Sequence, residues 1–118
     1  TLNTEEFEAV VDDVVLGLPD WVREAFDNLQ IQVTDRPDPE MDPDRQGLLG
    51  LYIGIPLTER SANEAGSLPD VIYIFRLPHL ALGLPPDELR REIAVTVMHE
   101  IAHYFGIDDD HLEEIGWD

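Results

Sequence analysis

The chain has 118 residues, 43% of them apolar, and 26 acidic against 7 basic side chains give a formal net charge of −19. A single domain with its own core is expected over residues 1–118, and so acidic a chain repels phosphate backbones, which argues against a nucleic-acid partner. There is no cysteine for a disulfide framework, no apolar run of about 18 residues and no basic-then-apolar leader, so we expect a cytoplasmic protein without a membrane partner.

Two helices are predicted at the start of the chain. Thr4 is a candidate N-cap, and Glu5 and Glu6 follow in the first turn, where the helix dipole favours acidic side chains. A break at Pro19 precedes a second, shorter helix. The core-facing positions recur at helical spacing and comprise Phe7, Val10, Val11, Val14, Val15 and Leu18, followed by Trp21, Val22, Ala25, Phe26 and Leu29.

The middle of the chain predicts a small, mostly antiparallel sheet. Runs rich in β-branched and aromatic residues alternate with polar loops, of which residues 35–47 are acidic and proline-rich. Gly50 and Gly54 indicate a bulge or a close approach of another backbone within the second run. A short apolar segment begins at His79, which we expect at the surface. The predicted strands are residues 31–33, 48–56 and 71–76.

The longest helix is predicted over residues 86–105. Pro86 suits a first helical turn because its missing N–H needs no partner there, and Asp87 and Glu88 suit the positive end of the helix dipole. With about 100° of rotation per residue, one half of this helix is apolar and should face the core. With a short final helix over residues 111–115, the elements predict an α+β fold. The apolar half comprises Ile93, Ala94, Val97, Met98, Ile101, Ala102, Tyr104 and Phe105.

The other half of this helix carries the sequence His99-Glu100-Ile101-Ala102-His103. Residues four apart lie one above the other on a helix, so His99 and His103 can bind one zinc ion through neutral imidazoles. Glu100 lies beside them, where its carboxylate can act as a general base toward a water at the metal. The pattern therefore predicts a zinc hydrolase site rather than an amphipathic helix that carries two histidines by chance.

Further candidate ligands follow directly after the helix. Gly106 stands where the apolar periodicity stops, which predicts a left-handed turn that sends the chain back toward the helix. Asp109 has the spacing of the third ligand in the longer pattern His-Glu-x-x-His-x-x-Gly-x-x-His. His111, a more usual zinc ligand by type, and Asp110 are the alternatives, although Asp110 can instead cap the final helix.

The segment from His99 to Asp109 resembles the Asp-zincins, and the run HEIAHYFGIDDDHLEEIGW resembles short bacterial zincin-like metallopeptidase domains, with a likeness that extends over the whole chain. The resemblance implies a minimal zincin-like fold and a zinc ion held by His99, His103 and Asp109. It also implies Glu100 as the catalytic base in the hydrolysis of a peptide or protein substrate. No methionine follows Asp109, so the Met-turn of the metzincins is missing.

Two other functions stay open at this point. A zincin fold can serve as a catalytically inactive protein-binding or regulatory module, which suits the small size and the missing Met-turn. A metal-dependent endoribonuclease is less favoured: one bacterial rRNA-processing family has the pattern His-x₃-His-x₅-His, but it lacks the glutamate found here as Glu100, and it needs a basic surface. We predict a zinc metallopeptidase, whose edge strand, residues 48–56 or 71–76, pairs with an extended substrate.

Overall fold

The computed structural model of the chain describes residues 2–26, 28–55 and 69–107, which form the predicted α+β architecture. Within these ranges no helix is both long and apolar enough to cross a membrane. The predicted final helix, residues 111–115, lies outside the described residues. The elements are α1 (Thr4–Leu16), α2 (Asp20–Glu24), β1 (Leu29–Thr34), β2 (Gly50–Ile53), β3 (Asp70–Phe75), α3 (Arg76–Leu80) and α4 (Pro86–Tyr104).

The first helix is capped one residue earlier than the sequence predicts. Asn3, not Thr4, is the N-cap: its side-chain oxygen accepts the backbone N–H of Glu6 at 2.8 Å, and the Glu6 carboxylate accepts the N–H of Asn3 at 3.0 Å. This reciprocal pair is a capping box, and asparagine caps a helix at least as well as threonine does. The shift does not change which side of α1 faces the core, as the burial of Phe7 and Val11 shows.

The sheet has the strand order β1-β3-β2, with β3 in the centre. β2 pairs with β3 in the antiparallel sense, but β1 pairs with β3 in parallel, so the prediction of a mostly antiparallel sheet is wrong. β1 and β3 are not consecutive strands, and a tight hairpin, the simplest source of antiparallel pairing, cannot join them. β3 takes the centre because apolar side chains occupy both of its faces, as in a strand covered on both sides.

The core lies between the sheet and the helices α1 and α4. Ile72 and Ile74 project from one face of β3 because they are two residues apart, and both are fully buried. Each such side chain contributes about 1.5–3 kcal/mol when it is removed from water. We therefore expect the fold to persist without a metal ion. The cluster consists of Phe7, Val11, Val22, Ile72, Ile74, Leu89, Ile93, Val97 and Ile101.

Helix α4 ends in a Schellman motif, one residue before the predicted boundary. Gly106 has a φ of +86°, and its N–H donates to the carbonyl of His103 at 2.9 Å. The N–H of Ile107 donates to the carbonyl of Ala102 at 3.0 Å, which completes the motif. The predicted left-handed turn is confirmed, and it redirects the chain immediately after His103.

Candidate metal centre

His99, Glu100 and His103 lie together near the C-terminal end of α4. The centroids of the two imidazole rings are 4.6 Å apart, and one ligand atom from each of the three residues lies within 4.8 Å of the others. Nδ1 of His103 is 3.6 Å from Oε1 of Glu100. Both histidines are partly exposed, whereas Glu100 is buried, with 7% of its surface exposed. The helix thus brings together the three side chains that the spacing placed on one face.

The types of ligand in this cluster suit a zinc ion. Imidazole nitrogens and carboxylate oxygens are preferred zinc ligands, and catalytic zinc sites combine three protein ligands with one open position. Among the described residues, His99, Glu100 and His103 form a group close enough to hold a metal ion. Asp109, predicted from the sequence as the third ligand, and its alternatives Asp110 and His111 lie outside the described residues, so their role stays a prediction.

Glu100 is buried because β2 lies directly on α4. A Cβ atom added to Gly50 would lie 2.7 Å from Cγ2 of Thr96 and 3.2 Å from Cγ of Glu100. Two residues further along β2, the ring of Tyr52 meets that of Tyr104 edge-on, with centroids 6.0 Å apart. Because Gly50 has no side chain, the backbone of β2 lies close to these side chains of α4, and the surface it covers is the flank of the candidate catalytic carboxylate.

His79 lies behind the same part of α4, and the prediction that it is a surface residue is wrong. It is fully buried on α3, with Nδ1 2.7 Å from the carbonyl oxygen of Phe75 and Nε2 2.9 Å from Oγ1 of Thr96. Burial of this polar ring is tolerated because both nitrogens have hydrogen-bond partners. The chain leaves β3 at Phe75 and turns into α3, which packs on α4. No periodicity within residues 76–83 signals that packing.

The hydrogen bonds of His79 fix the orientation of Thr96. Burial lowers the pKa of His79, against smaller opposing effects of the Phe75 carbonyl and the Glu92 carboxylate. Nδ1 of the ring donates to the carbonyl oxygen of Phe75, because a carbonyl oxygen can only accept. The Thr96 hydroxyl donates its proton to the carbonyl oxygen of Glu92 at 3.0 Å, and its oxygen lies 2.9 Å from Nε2 of His79. Because its oxygen is held toward His79 and the Glu92 carbonyl, Thr96 presents its methyl group to Gly50 of β2.

Comparisons with known proteins agree with this architecture. A family model described as zincin-like metallopeptidase matches residues 26–117. Among solved structures, a conserved hypothetical protein from T. thermophilus is similar over 97% of this chain and 97% of its own, with a TM-score of 0.59 and 21% sequence identity. At this identity the likeness shows the fold alone. No curated protein matches the sequence.

Proposed function

Since the chain belongs to the zincin-like metallopeptidase family, we propose that it is a zinc-dependent peptidase of the Asp-zincin type. The observation that carries the proposal is the grouping of two imidazoles and a buried carboxylate on α4. In this proposal His99, His103 and Asp109 hold the zinc ion. Glu100 is not a ligand in this proposal and acts as the general base.

In the proposed mechanism the metal has one task, and residues of the chain carry out the transfer of protons. A zinc ion, when bound, supplies a Lewis acid that polarises the scissile carbonyl and makes water more acidic. The carboxylate of Glu100 takes a proton from the attacking water and then delivers it to the leaving amine. Contact with β2 restricts this side chain to the neighbourhood of the two histidines. Such restriction favours proton transfer because a general base must stay within hydrogen-bond reach of its proton.

The proposed substrate is an extended peptide that adds to strand β2. Of the two candidate edge strands, residues 71–76 belong largely to the central strand β3, whereas β2 is at the edge of the described sheet. β2 also lies on α4 through Gly50, so a peptide beside it would pass close to the metal-binding side chains. Main-chain hydrogen bonds of this kind give affinity without requiring a particular sequence.

One substitution combined with metal analysis tests the proposal. Glu100→Gln keeps the size of the side chain but removes the proton acceptor, so zinc content should stay at about one per chain while cleavage of an unfolded protein falls 10²-fold or more. Glu88→Gln, at an exposed position in the first turn of the same helix, is the matched control and should change neither quantity.

The outcomes separate the proposal from its alternatives. Equal cleavage by the wild-type protein and Glu100→Gln would show that the activity arises from another site or from a contaminant. If zinc is bound but nothing in a broad peptide library is cleaved, the inactive binding module replaces the peptidase as the better assignment.

A further inference from the structure

A cleft of about 780 Å³ opens at the end of the sheet where β2 begins. One wall is the loop of residues 36–47, which contributes Pro37, Pro39 and Pro43. The opposite wall is α3 and the turn after it, with Leu77 and Leu82. The volume falls within the range of about 300–1,000 Å³ that is usual for ligand sites, and the lining is mostly apolar.

The exposed charged side chains of this cleft are opposite in sign to the protein as a whole. Arg36 and Arg45 both line it, in a chain with only 7 basic against 26 acidic residues. Both are exposed, and neither forms an ion pair within the part of the chain that the structure describes. The exposed acidic residues of the same loop, Asp38, Glu40 and Asp44, do not line the cleft.

Asp42 is the acidic residue in the lining, and its carboxylate serves the loop itself. It is buried and accepts the backbone N–H groups of Gln46, Gly47 and Leu48 at 2.8, 2.9 and 3.4 Å. These bonds hold Arg45 in a left-handed conformation with a φ of +52°, which is unfavourable for a residue that carries a Cβ atom. The wall that presents Arg45 is therefore shaped before any ligand arrives.

The cleft continues the path of a peptide on β2. Gly47 lines the cleft and precedes Gly50 by three residues, or about 10 Å of extended chain. A peptide that pairs antiparallel with β2 has its C-terminal side next to the start of that strand. The part of the substrate that follows the scissile bond would then lead toward the two arginines.

We propose that this cleft binds a carboxylate on the C-terminal side of the peptide, either the terminal carboxylate or an acidic side chain, with an apolar or proline residue next to it. Arg36 and Arg45 bind the carboxylate through charge-assisted hydrogen bonds, and the prolines and leucines contact the apolar neighbour. The placement of the peptide rests on the proposed peptidase function. The binding itself requires no catalysis.

Three fluorescein-labelled tetrapeptides test the site by anisotropy with zinc-loaded Glu100→Gln protein at low salt. Ala-Leu-Pro-Leu with a free carboxylate and Ala-Leu-Pro-Glu amide represent the two sources of the carboxylate, and Ala-Leu-Pro-Leu amide is the neutral control. At least one of the two acidic peptides should bind about tenfold more tightly than the neutral one. Whichever binds more tightly identifies the source.

Variants then locate the site. Arg36→Gln and Arg45→Gln should each reduce the preference for the carboxylate, while Arg91→Gln removes the same charge from an exposed position on α4 and should preserve it. Equal affinity for all three peptides, or an equal loss in Arg91→Gln, would overturn the proposal. A carboxylate preference without cleavage by the wild-type protein would support the cleft and count against the peptidase. Cleavage by the wild-type protein without a preference for the carboxylate would support the peptidase and count against the cleft.

Discussion

His99 and His103 need only their spacing on one helix to meet, but a zinc ion needs a third protein ligand that comes from beyond that helix. Gly106 has a left-handed conformation three residues after His103, so the chain changes direction before the predicted ligand. Asp109 is the predicted ligand, and its assignment can be tested residue by residue.

Zinc content should distinguish the ligands from their neighbours. His99→Ala, His103→Ala and Asp109→Ala should each reduce zinc from about one per chain to near zero, because two remaining ligands hold zinc poorly. His111→Ala and Asp110→Ala should retain it, and Asp110→Ala should cost about 1 kcal/mol of stability as a lost helix cap. Metal analysis after purification without chelator gives the answer. Loss of zinc in His111→Ala but not in Asp109→Ala would make His111 the third ligand.

His79 should make the stability of the protein depend on pH. Burial lowers its pKa in the folded state, whereas a histidine in the unfolded chain titrates at about 6.5. The free energy of unfolding should therefore be insensitive to this group above about pH 6.5 and should decrease as the pH falls from there toward the lowered pKa, because the unfolded chain binds the extra proton. His79→Gln should remove this part of the dependence.

Denaturant titrations of metal-free protein at about pH 7.5 and 5.5 measure the effect. The three other histidines are the same in both proteins, so the comparison isolates the effect of His79. The wild-type protein should lose more stability on acidification than His79→Gln does. Parallel losses would mean that the buried ring is not kept neutral.

At the scale of elements, the contact between β2 and α4 decides the environment of Glu100, the proposed catalytic base. Gly50 faces Thr96 and Glu100, and the hydrogen bonds of His79 hold Thr96 in position from the opposite side. A strand, a short helix and the long helix thus fix one side of the site together. On the other side of the site, His99 and His103 are partly exposed.

Gly50→Ala should disturb this arrangement. The new Cβ would lie 2.7 Å from Cγ2 of Thr96 and 3.1 Å from the carbonyl oxygen of Tyr73, and the second contact is with the backbone of the central strand. We expect a loss of about 1–3 kcal/mol as β2 moves away from α4, together with a lower rate of peptide cleavage. Thermal unfolding and the cleavage assay measure the two effects.

Gly17→Ala is the matched control for this substitution. Gly17 has a φ of −81°, and an added Cβ would meet its nearest atom, the carbonyl oxygen of Asp13, at an ordinary 3.4 Å. Stability and cleavage should change little. If Gly50→Ala also retains both, β2 does not restrain Glu100.

At the scale of the whole molecule, a net charge of −19 opposes the compact state through repulsion among its carboxylates. The described part of the chain contains an exposed ion pair between Arg23 and Asp20 and a partly buried one between Arg76 and Asp35, in which the Arg76 side chain is 16% exposed. The exposed pair contributes little, and one partly buried pair is outweighed by the large excess of carboxylates, so repulsion should dominate the response to salt.

Added salt should therefore stabilise the protein. Raising sodium chloride from about 0.01 M to 1 M shortens the screening length from about 30 to 3 Å, which weakens repulsion between distant carboxylates more than attraction within close pairs. The melting temperature of metal-free protein should rise by a few degrees. A fall over this range would show that the ion pairs outweigh the repulsion.

The same surface favours substrates of mixed charge. At low salt the acidic surface should concentrate segments that carry lysine or arginine, whereas the proposed role of the cleft beside Arg36 and Arg45 is to select a carboxylate at one end. Screening weakens the first effect more than the second, because the first acts over longer distances.

The sequence by itself determined the features whose cause lies within one element. Rotation of about 100° per residue predicts that His99, Glu100 and His103 share a face of α4 and that Ile93, Val97 and Ile101 face the core. The left-handed turn at Gly106 and the strand around residues 71–76 also follow from local conformational preferences. Neighbours in sequence are sufficient for each of these, so they could be predicted.

Only the tertiary structure decided the features that join distant parts of the chain. Parallel pairing of β1 with β3, the covering of Glu100 by Gly50, and the hydrogen bond between Thr96 and His79 all link separate elements. Their cause is the way in which helices and strands pack, which depends on the shape of the complete core. Local periodicity predicts which side of a helix or strand is apolar, but it does not predict which other element will pack against that side.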